Sequence, residues 1–388
     1  MEFMTAGESH GPQLTGVITG IPAGLALDVA AINAQLAKRQ AGYGRGARQK
    51  IEHDHVQIVG GVRHGITMGG PIALVVANRD HDHWQAIMDP VAPATPENTL
   101  RQVQRPRAGH ADLVGGQKYG HRDLRNVLER SSARETAMKV AIGAICEQLL
   151  AALDIQLVGY VQSVGGHAGG EVATADVATI RAATATNDLR IVDETQVPAI
   201  HAAIDDARRA GDTLGGVIRV VATGLPAGIG SYATATSKLD GQLAAAVMSI
   251  NAIKGVAFGD GFAVAERPGS TVMDAITWDA QQGYQRTTNN LGGLEGGMTN
   301  GMPLVLTAAM KPIPTLYHPL PSVNIETKEV ELANVERSDT TAIVPASLVV
   351  EMAVAITLAQ ALCAQFDDSN LERMQTQLAA YREELRQF

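Results

Sequence analysis

The sequence predicts an α+β fold, a β-α-β sandwich with internal pseudo-duplication in which helices pack between antiparallel sheets. Three observations support this. Strand-like runs, such as 72–76 and 217–221, alternate with turns more often than with helices, which argues against a doubly wound parallel sheet. Two glycine-rich motifs occur twice in the same order. Long segments with apolar residues at helical spacing, at 132–153 and after Pro345, predict core helices.

The repeated motifs indicate two related α+β halves. The sequence TGIPAG at 19–24 returns as TGLPAG at 223–228, each time after a strand-like run and before a helix-like segment. GITMGGPI at 65–72 returns as GMTNGMPL at 297–304. We therefore predict a single domain over 1–388 whose parts are two halves at about 1–155 and 210–345 and a helical segment at 345–388.

Composition excludes several classes of protein. With 45% hydrophobic and 18% charged residues, the chain is globular rather than disordered. The start MEFMTAGESH does not resemble a signal peptide, and no run of about 18 uninterrupted apolar residues predicts a membrane span. We therefore expect a cytoplasmic protein. Cys146 and Cys363 lie in apolar helical patterns, which favours buried free thiols over a disulfide or a zinc site.

Positive charge is concentrated in one part of an acidic chain. The net charge is −9, yet residues 39–134 hold twelve Arg and two Lys against nine Asp and Glu, about +5. This segment also holds seven of the 11 histidines. An acidic protein with 4% aromatic residues suits nucleic acid poorly, so the local excess predicts a pocket for a small anion. Arginine outnumbers lysine 23 to 8, as suits planar carboxylate and phosphate groups.

Three N-terminal motifs place chemistry-bearing residues in shaped loops. In GESHG, His10 stands between a hydroxyl residue and glycine. RPRAGHAD places Arg107 near His110, with Asp112 able to orient that histidine. RSSARET opens the segment 132–153, where we expect a helix with a Ser132/Glu135 capping box whose free N–H groups would bind an oxyanion. An ordinary capped helix with salt bridges explains this last motif equally well.

Other patterns narrow the choice of cofactor. NNLGGLEGGMTNG at 289–301, KPIPT at 311–315 and RSD at 337–339 add glycine-rich loops and fixed charge. No Walker A or strand–GxGxxG–helix pattern is present, so any nucleotide or flavin binds without a Rossmann unit. Histidines at 53, 55, 81 and 83 lack the spacing of a metal site; we interpret them as solvated turns and expect no metal.

Taken together, these segments resemble the chorismate synthase family. GESHG, QAGYGRGAR, RPRAGHAD, RSSARETA, MSINAIKG, NNLGGLEGGMTNG, KPIPT and RSD follow the family's order over residues 7–340. The resemblance implies a lyase of the shikimate pathway of aromatic amino-acid biosynthesis. It removes phosphate from 5-enolpyruvylshikimate-3-phosphate by anti-1,4 elimination to give chorismate, and it requires reduced FMN. It also implies a homotetramer, with NADPH or an external flavin reductase as the source of electrons.

The resemblance also implies site residues, which carry over position by position. The catalytic residues would be His10, His110 and Asp339. Substrate-binding residues would be Ser9, Arg39, Arg45, Arg48, Arg107, Ser132 and Arg134, with Arg39 and Arg45 also associated with NADPH. FMN would contact Arg130, Ser131, Ser132, Asn251, Ala252, Gly296, Lys311, Pro312, Ile313, Pro314, Thr315 and Arg337.

Two other readings remain open from the sequence. A different flavin- or phosphate-dependent lyase would use the same scaffold without turning over this substrate. A phosphosugar- or nucleotide-sensing module would bind a ligand without turnover, with structural histidines.

Overall fold

A computed structural model describes residues 1–46, 51–172 and 176–388. Its helices are α1 (Val29–Gln40), α2 (Asp112–Tyr119), α3 (Arg125–Ser131), α4 (Thr136–Ala152), α5 (Val177–Thr184), α6 (Val197–Arg209), α7 (Leu239–Met248), α8 (Gly269–Val272), α9 (Ile343–Gln365) and α10 (Leu371–Gln387). Its strands are β1 (Glu2–Ala6), β2 (Gln13–Thr19), β3 (Val56–Gly60), β4 (Val62–Arg63), β5 (Ile66–Thr67), β6 (Ile72–Ala77), β7 (Gln156–Val164), β8 (His167–Ala168), β9 (Gly216–Thr223), β10 (Ile253–Phe258), β11 (Ile276–Asp279), β12 (Gly283–Arg286), β13 (Leu294–Glu295), β14 (Met298–Thr299), β15 (Leu304–Met310), β16 (Pro321–Val323) and β17 (Val330–Leu332).

Two antiparallel sheets enclose a layer of helices, so the predicted α+β sandwich is confirmed. The first sheet has the strand order β1-β2-β6-β3, and the second has β10-β15-β9-β7-β8. Helix α4 packs against β2 and β6, while α9 packs against β7 and β9. Helices α1 and α7 extend the same layer, and apolar side chains from both sheets and from all four helices form one continuous core. Val158, Tyr160 and Val221 of the second sheet pack in a separate cluster with α5.

Helix α9 is the centre of this core. Its apolar residues lie all around the helix rather than on one face, which is the pattern of a helix surrounded by protein. In the described part of the chain it alone is long and apolar enough to cross a membrane, but 89% of its most apolar window is buried inside the protein. The helix therefore has the surroundings of a core helix.

The repeated motifs form the same hydrogen bonds in both halves. In the first, Thr67 Oγ1 donates to the carbonyl of Pro22 (2.6 Å) and accepts from the Leu25 amide (3.0 Å). In the second, Thr299 Oγ1 donates to the carbonyl of Pro226 (2.6 Å) and accepts from the Ile229 amide (2.9 Å). The hairpins β4–β5 and β13–β14 hold these threonines. The strand orders β1-β2-β6-β3 and β7-β9-β15-β10 also correspond. The two copies of each motif thus adopt the same local structure.

One helix start differs from the sequence prediction. The segment from Ser132 forms a short 3₁₀ turn, and α4 begins only at Thr136. Ser132 caps that turn by accepting from the Arg134 amide, but the expected capping box with Glu135 is absent. Glu135 instead forms an ion pair with Lys139 (3.4 Å) one turn further along α4. Arg134, which lies in this turn, forms ion pairs with the buried acids Glu52 and Asp54.

Candidate active site

A cavity of about 1030 Å³ lies where the two halves meet. Its wall includes residues that follow β1 and β6, the loop before α2, the α3–α4 connection and the segments 250–252, 311–315 and 334–339. Three contacts join the halves around it. Asn251 Nδ2 donates to the carbonyl of Ser131 (2.9 Å), Arg107 Nη1 donates to Thr315 Oγ1 (2.7 Å), and Arg337 forms an ion pair with Asp80.

His10 is buried at one side of the cavity. Its Nδ1 and its backbone amide both lie 2.8 Å from the carboxylate of Glu129, and its Nε2 is 3.8 Å from Asp80. A carboxylate only accepts, so Nδ1 carries the proton in this hydrogen bond. The imidazole stacks on the indole of Trp84 with ring centroids 3.9 Å apart. These partners fix the orientation of the ring.

His110 belongs to a second buried network. Its Nδ1 lies 2.6 Å from Asp112 Oδ1, and Arg107 donates to the same carboxylate through Nε (2.8 Å) and Nη2 (3.1 Å). Burial alone would raise the pKa of Asp112, but the hydrogen bonds and charges of His110 and Arg107 hold it well below its ordinary value. The ionised carboxylate orients both side chains at the cavity wall.

Asp339 is held by the loop that carries Arg45. Arg45 donates to Oδ2 of Asp339, and the Gly46 amide donates to Oδ1 (2.6 Å). Burial lowers the pKa of Arg45, and the charge and hydrogen bond of Asp339 oppose that shift. Gly46 is required here because a Cβ would lie 2.5 Å from the carbonyl oxygen of Ser338.

Buried acids also support Arg39 and Arg134. Arg134 pairs with Asp54 (2.7 Å) and donates through Nε to Asn78 Oδ1 (2.8 Å). Arg39 lies 3.6 Å from Asp54 and donates to Thr136 Oγ1 (3.0 Å). One carboxylate therefore positions two cations that reach the cavity.

The 311–315 segment and the α3–α4 connection form another part of the wall. Burial, and after it the charge of Lys254, lowers the pKa of Lys311. The Lys311 amide donates to the carbonyl of Ala252, a non-glycine residue at a positive φ of 70°. Ser131 Oγ is buried and has no hydrogen-bond partner in the described chain. An unpaired hydroxyl at a cavity wall is free for a polar ligand.

Most residues named from the sequence reach the cavity. Those on its wall are Ser9, His10, Arg39, Arg45, Arg107, His110, Ser131, Ser132, Arg134, Asn251, Ala252, Lys311, Ile313, Pro314, Thr315, Arg337 and Asp339. Arg130, Gly296 and Pro312 do not line it: Arg130 donates to the carbonyl of Thr5 (3.1 Å), and Gly296 lies between β13 and β14. Arg48 lies outside the described residues.

Sequence reasoning missed several residues that support the site. Asp80 is 2% exposed and pairs with Arg337, and His81 Nδ1 bonds the carbonyl of His10 (2.9 Å). The interpretation of the DHDH segment at 80–83 as a solvated turn is therefore wrong for Asp80 and His81. Trp84 and Glu129 were missed too, because their contacts with His10 are distant in sequence. The one available signal for Trp84 was its position directly after this histidine cluster.

The cavity wall is positively charged in a chain of net charge −9. Its described residues include eight Arg and Lys against four Asp and Glu, namely Glu52, Asp80, Glu336 and Asp339. The wall also carries two orienting histidine networks. No group of three or more His, Cys, Asp or Glu with metal-site geometry occurs among the described residues. The fold and cavity thus define an enzyme that binds a small, multiply charged anion and has acid–base groups beside it.

Comparison with known proteins identifies the family. The family model described as chorismate synthase matches residues 1–363. A chorismate synthase of Lactiplantibacillus plantarum is 68% identical and one of Limosilactobacillus fermentum is 65% identical, both over the full length of each chain. A solved structure titled "Crystal Structure of Chorismate Synthase" superposes with a TM-score of 0.81 at 38% identity, covering 100% of this chain and 98% of that one.

The chain belongs to the chorismate synthase family. It is a phosphate-eliminating lyase of the shikimate pathway, which converts 5-enolpyruvylshikimate-3-phosphate to chorismate. The resemblance noted from eight ordered motifs is therefore confirmed, as is the prediction of a carbon–oxygen lyase acting on a phosphate.

Proposed function

We propose that this chain performs the elimination with reduced FMN and substrate side by side in the 1030 Å³ cavity. The observation that carries the proposal is the meeting of His10, His110 and Asp339 on the wall of one cation-rich cavity. The substrate bears two carboxylates and a phosphate, and FMN adds a further phosphate. Such a load of negative charge explains why an acidic chain directs so many cations inward.

The substrate is bound by residues already held in place by buried partners. These are Ser9, Arg39, Arg45, Arg107, Ser132 and Arg134. Arg48 has the same proposed role on the sequence resemblance alone. Planar guanidinium groups bind carboxylates and phosphates through paired hydrogen bonds. Carboxylates such as Asp54 and Asp112 fix their directions before the substrate arrives.

The wall has groups that suit FMN. Lys311 and Arg337 supply charge for its phosphate, and the unpaired Ser131 Oγ and the Asn251 side chain supply hydrogen bonds. Further proposed contacts are Ser132, Ala252, Ile313, Pro314 and Thr315 from the wall, and Arg130, Gly296 and Pro312 from the resemblance. When bound, reduced FMN would supply an electron-rich ring system, in a reaction that is redox-neutral overall, and its N5 would act together with Asp339 as the base for the ring proton.

His110 is the proposed acid for the leaving phosphate. Its Nδ1 proton is held by Asp112, which leaves Nε2 as the nitrogen that donates to a phosphate oxygen. Phosphate leaves poorly while its charge is uncompensated, so the neighbouring Arg107 guanidinium assists. Ser9 Oγ accepts from Ser132 Oγ (3.1 Å), which connects the two hydroxyl positions.

His10 and Asp339 have the proposed roles near FMN. His10 keeps the reduced cofactor in its reactive protonation state, with its ring fixed by Glu129 and Trp84. Asp339 accepts the proton that the substrate ring loses, through the atoms that Arg45 and the Gly46 amide hold in place. Ser9 and Ser131 support this transfer.

Replacement of His110 tests the assignment of the acid. His110→Ala should lower kcat by about 10²-fold or more, because general acid catalysis contributes typically 10²–10⁴-fold. His167→Ala is the matched control, since His167 is exposed on β8 and away from the cavity. Turnover of the His110 variant close to wild type would remove the residue from this role.

One anaerobic assay tests activity and the source of electrons together. Purified protein receives 5-enolpyruvylshikimate-3-phosphate with dithionite-reduced FMN, or with FMN plus NADPH, and chorismate is measured. We propose an external flavin reductase, so product should form only in the dithionite arm. Product in both arms would instead support NADPH use, for which Arg39 and Arg45 are the proposed contacts. No product in either arm would contradict the proposed activity.

We also propose a homotetramer located in the cytoplasm. Large apolar side chains are exposed between residues 262 and 278, including Phe262 (85%), Met273 (62%) and Trp278 (62%). Clusters of this kind are typical of protein interfaces. Light scattering after gel filtration should give four times the chain mass of 40.7 kDa, and a monomer would contradict the proposal. Cell fractionation tests the location.

A further inference from the structure

The cations on the cavity wall differ in whether an acid offsets them. Six of the eight pair with Asp or Glu: Arg39, Arg45, Arg107, Arg125, Arg134 and Arg337. Among the described residues on the wall, Arg101 and Lys311 are the two cations for which no ion pair is found. The undescribed segments 47–50 and 173–175 contain no Asp or Glu. Lys311 already has a proposed role toward FMN, whereas Arg101 has none.

An aromatic ring takes the place of an acid beside Arg101. The guanidinium carbon lies 3.9 Å from the ring centroid of Trp84. The same indole stacks on His10 at 3.9 Å. A cation–π contact holds a guanidinium in place without neutralising its charge, whereas a carboxylate would offset that charge. Arg101 therefore presents a full positive charge one aromatic layer away from a proposed catalytic histidine.

The backbone around Arg101 is anchored although its side chain is exposed. Arg125 Nε donates to the carbonyl of Arg101 (3.0 Å). Two residues further on, the Val103 amide donates to Asp123 Oδ1 (2.9 Å), and Val103 is 1% exposed. The anchored backbone thus fixes the position of the Arg101 Cα, and the contact with Trp84 fixes the position of its guanidinium group. A side chain ordered in advance loses less freedom when a ligand binds.

We propose that Arg101 binds an oxyanion of the substrate, with Trp84 as its positioning residue. The substrate carries three oxyanionic groups. A cation that is already paired with an acid attracts such a group less strongly than a cation without an acidic partner does. The contact contributes to substrate binding rather than to proton transfer, because a guanidinium stays protonated at neutral pH. The inference rests on the proposed function, since it concerns the substrate of that same cavity.

Steady-state kinetics with saturating reduced FMN tests the role of Arg101. Arg101→Ala should raise KM for 5-enolpyruvylshikimate-3-phosphate by about tenfold or more, as expected for a lost charge-assisted contact, with kcat changed much less. The KM of Arg101→Lys should lie between those of wild type and Arg101→Ala, because lysine keeps the positive charge but lacks the planar guanidinium group. Arg122→Ala is the matched control: Arg122 is 75% exposed, pairs with Glu326 and lies off the cavity wall, so its KM should remain that of wild type.

Tryptophan fluorescence gives a readout independent of turnover. The chain has two tryptophans, and Trp278→Phe leaves Trp84 as the single reporter. Substrate should change its emission, and Arg101→Ala in this background should shift the titration to higher concentration by a similar factor. Chorismate lacks the phosphate, so its binding shows which oxyanionic group Arg101 contacts. If Arg101→Ala weakens chorismate binding, Arg101 binds a carboxylate; if chorismate binding is unchanged, Arg101 binds the phosphate.

Two results would overturn the inference while leaving the proposed function intact. One is a KM and a fluorescence titration of Arg101→Ala within twofold of the parent enzyme. The other is a fall in kcat at unchanged KM, which would place the effect on the chemical step through His10. If wild-type enzyme itself gave no chorismate, the proposed function would fail instead. A thermal melt of each variant checks that the fold is kept.

Discussion

Asp112 illustrates how single buried acids determine this site. It is fully buried and accepts from the Arg107 amide, the Arg107 guanidinium and the His110 ring at once. Asp112→Asn would turn an amide N–H₂ toward donors that need an acceptor. Removing one partner of a buried ion pair leaves the other charges uncompensated, so we expect the free energy of unfolding at pH 7 to fall by about 3–5 kcal/mol. Chemical denaturation measures this, with exposed Glu384→Gln as a control that changes little.

The difference in unfolding free energy between wild type and Asp112→Asn should depend on pH in a defined direction. The folded-state pKa of Asp112 lies below its unfolded value of 3.8, so the native state favours the ionised form. Its contribution to stability is therefore complete above about pH 4 and is lost as the pH falls through the lower folded pKa. The gap between wild type and Asp112→Asn should be constant near neutral pH and shrink in acid. A gap that widened in acid would contradict the assignment.

At the residue scale the sequence predicted cations better than the acids that hold them. Arginines stood out because they were concentrated in one segment of an acidic chain. In the run from Glu52 to His55, the structure buries both acids and exposes both histidines. Sequence reasoning noticed these histidines but not the acids. The reason is physical: Asp54 gains its importance from Arg39 and Arg134, which become its neighbours only when the chain folds.

The pairing of α4 with α9 depends on one close approach. A Cβ placed on Gly143 would lie 2.4 Å from Cβ and 3.0 Å from Cα of Met352, which is closer than atoms pack. Gly143→Ala should therefore force the central helices apart and cost about 1–3 kcal/mol of unfolding free energy, despite the higher helix propensity of alanine.

Gly241 provides the matched control for that change. It also lies within a helix, α7, but its added Cβ would meet only the carbonyl oxygen of Ala235, at 3.8 Å. Gly241→Ala should leave stability unchanged or raise it, because alanine is the better helix former. Equal effects of the two substitutions on the melting temperature would argue against the close approach.

At the element scale, the periodic patterns predicted helices more accurately than their starts. The apolar pattern at 132–153 is observed as α4, which ends at Ala152, and the pattern after Pro345 is observed as α9 and α10. The start near Ser132 was misplaced because the 3₁₀ turn there serves tertiary contacts. Arg39 donates to the carbonyl of Ala133 within that turn (2.9 Å), an interaction that no local pattern reveals.

At the scale of the whole molecule, duplication accounts for the position of the cavity. The described chain has two corresponding four-strand units, β1-β2-β6-β3 and β7-β9-β15-β10, and the long helices α4 and α9 lie in the layer between the sheets. The sequence revealed the repeat through the TGIPAG/TGLPAG and GITMGGPI/GMTNGMPL motifs, because turn geometry requires glycine and proline at particular positions. It did not reveal how the halves face each other, because that depends on core packing spread over many apolar positions. The bounds of the halves, about 1–155 and 210–345, stay a prediction.

The contrast between surface and cavity predicts how the enzyme responds to salt. The chain has a net charge of −9, while the described cavity wall carries four more cationic than acidic side chains. A substrate with two carboxylates and a phosphate is therefore attracted mainly within the cavity, where its charges lie close to the wall. Raising ionic strength shortens the screening length from about 30 Å at 0.01 M to about 8 Å at 0.15 M. KM for the substrate should rise with sodium chloride, while kcat should change little because the bound groups are shielded from solvent ions. Sucrose at matched osmolality is the control, and a KM that stays flat from low to physiological salt would show that the net charge of the wall does not drive substrate binding.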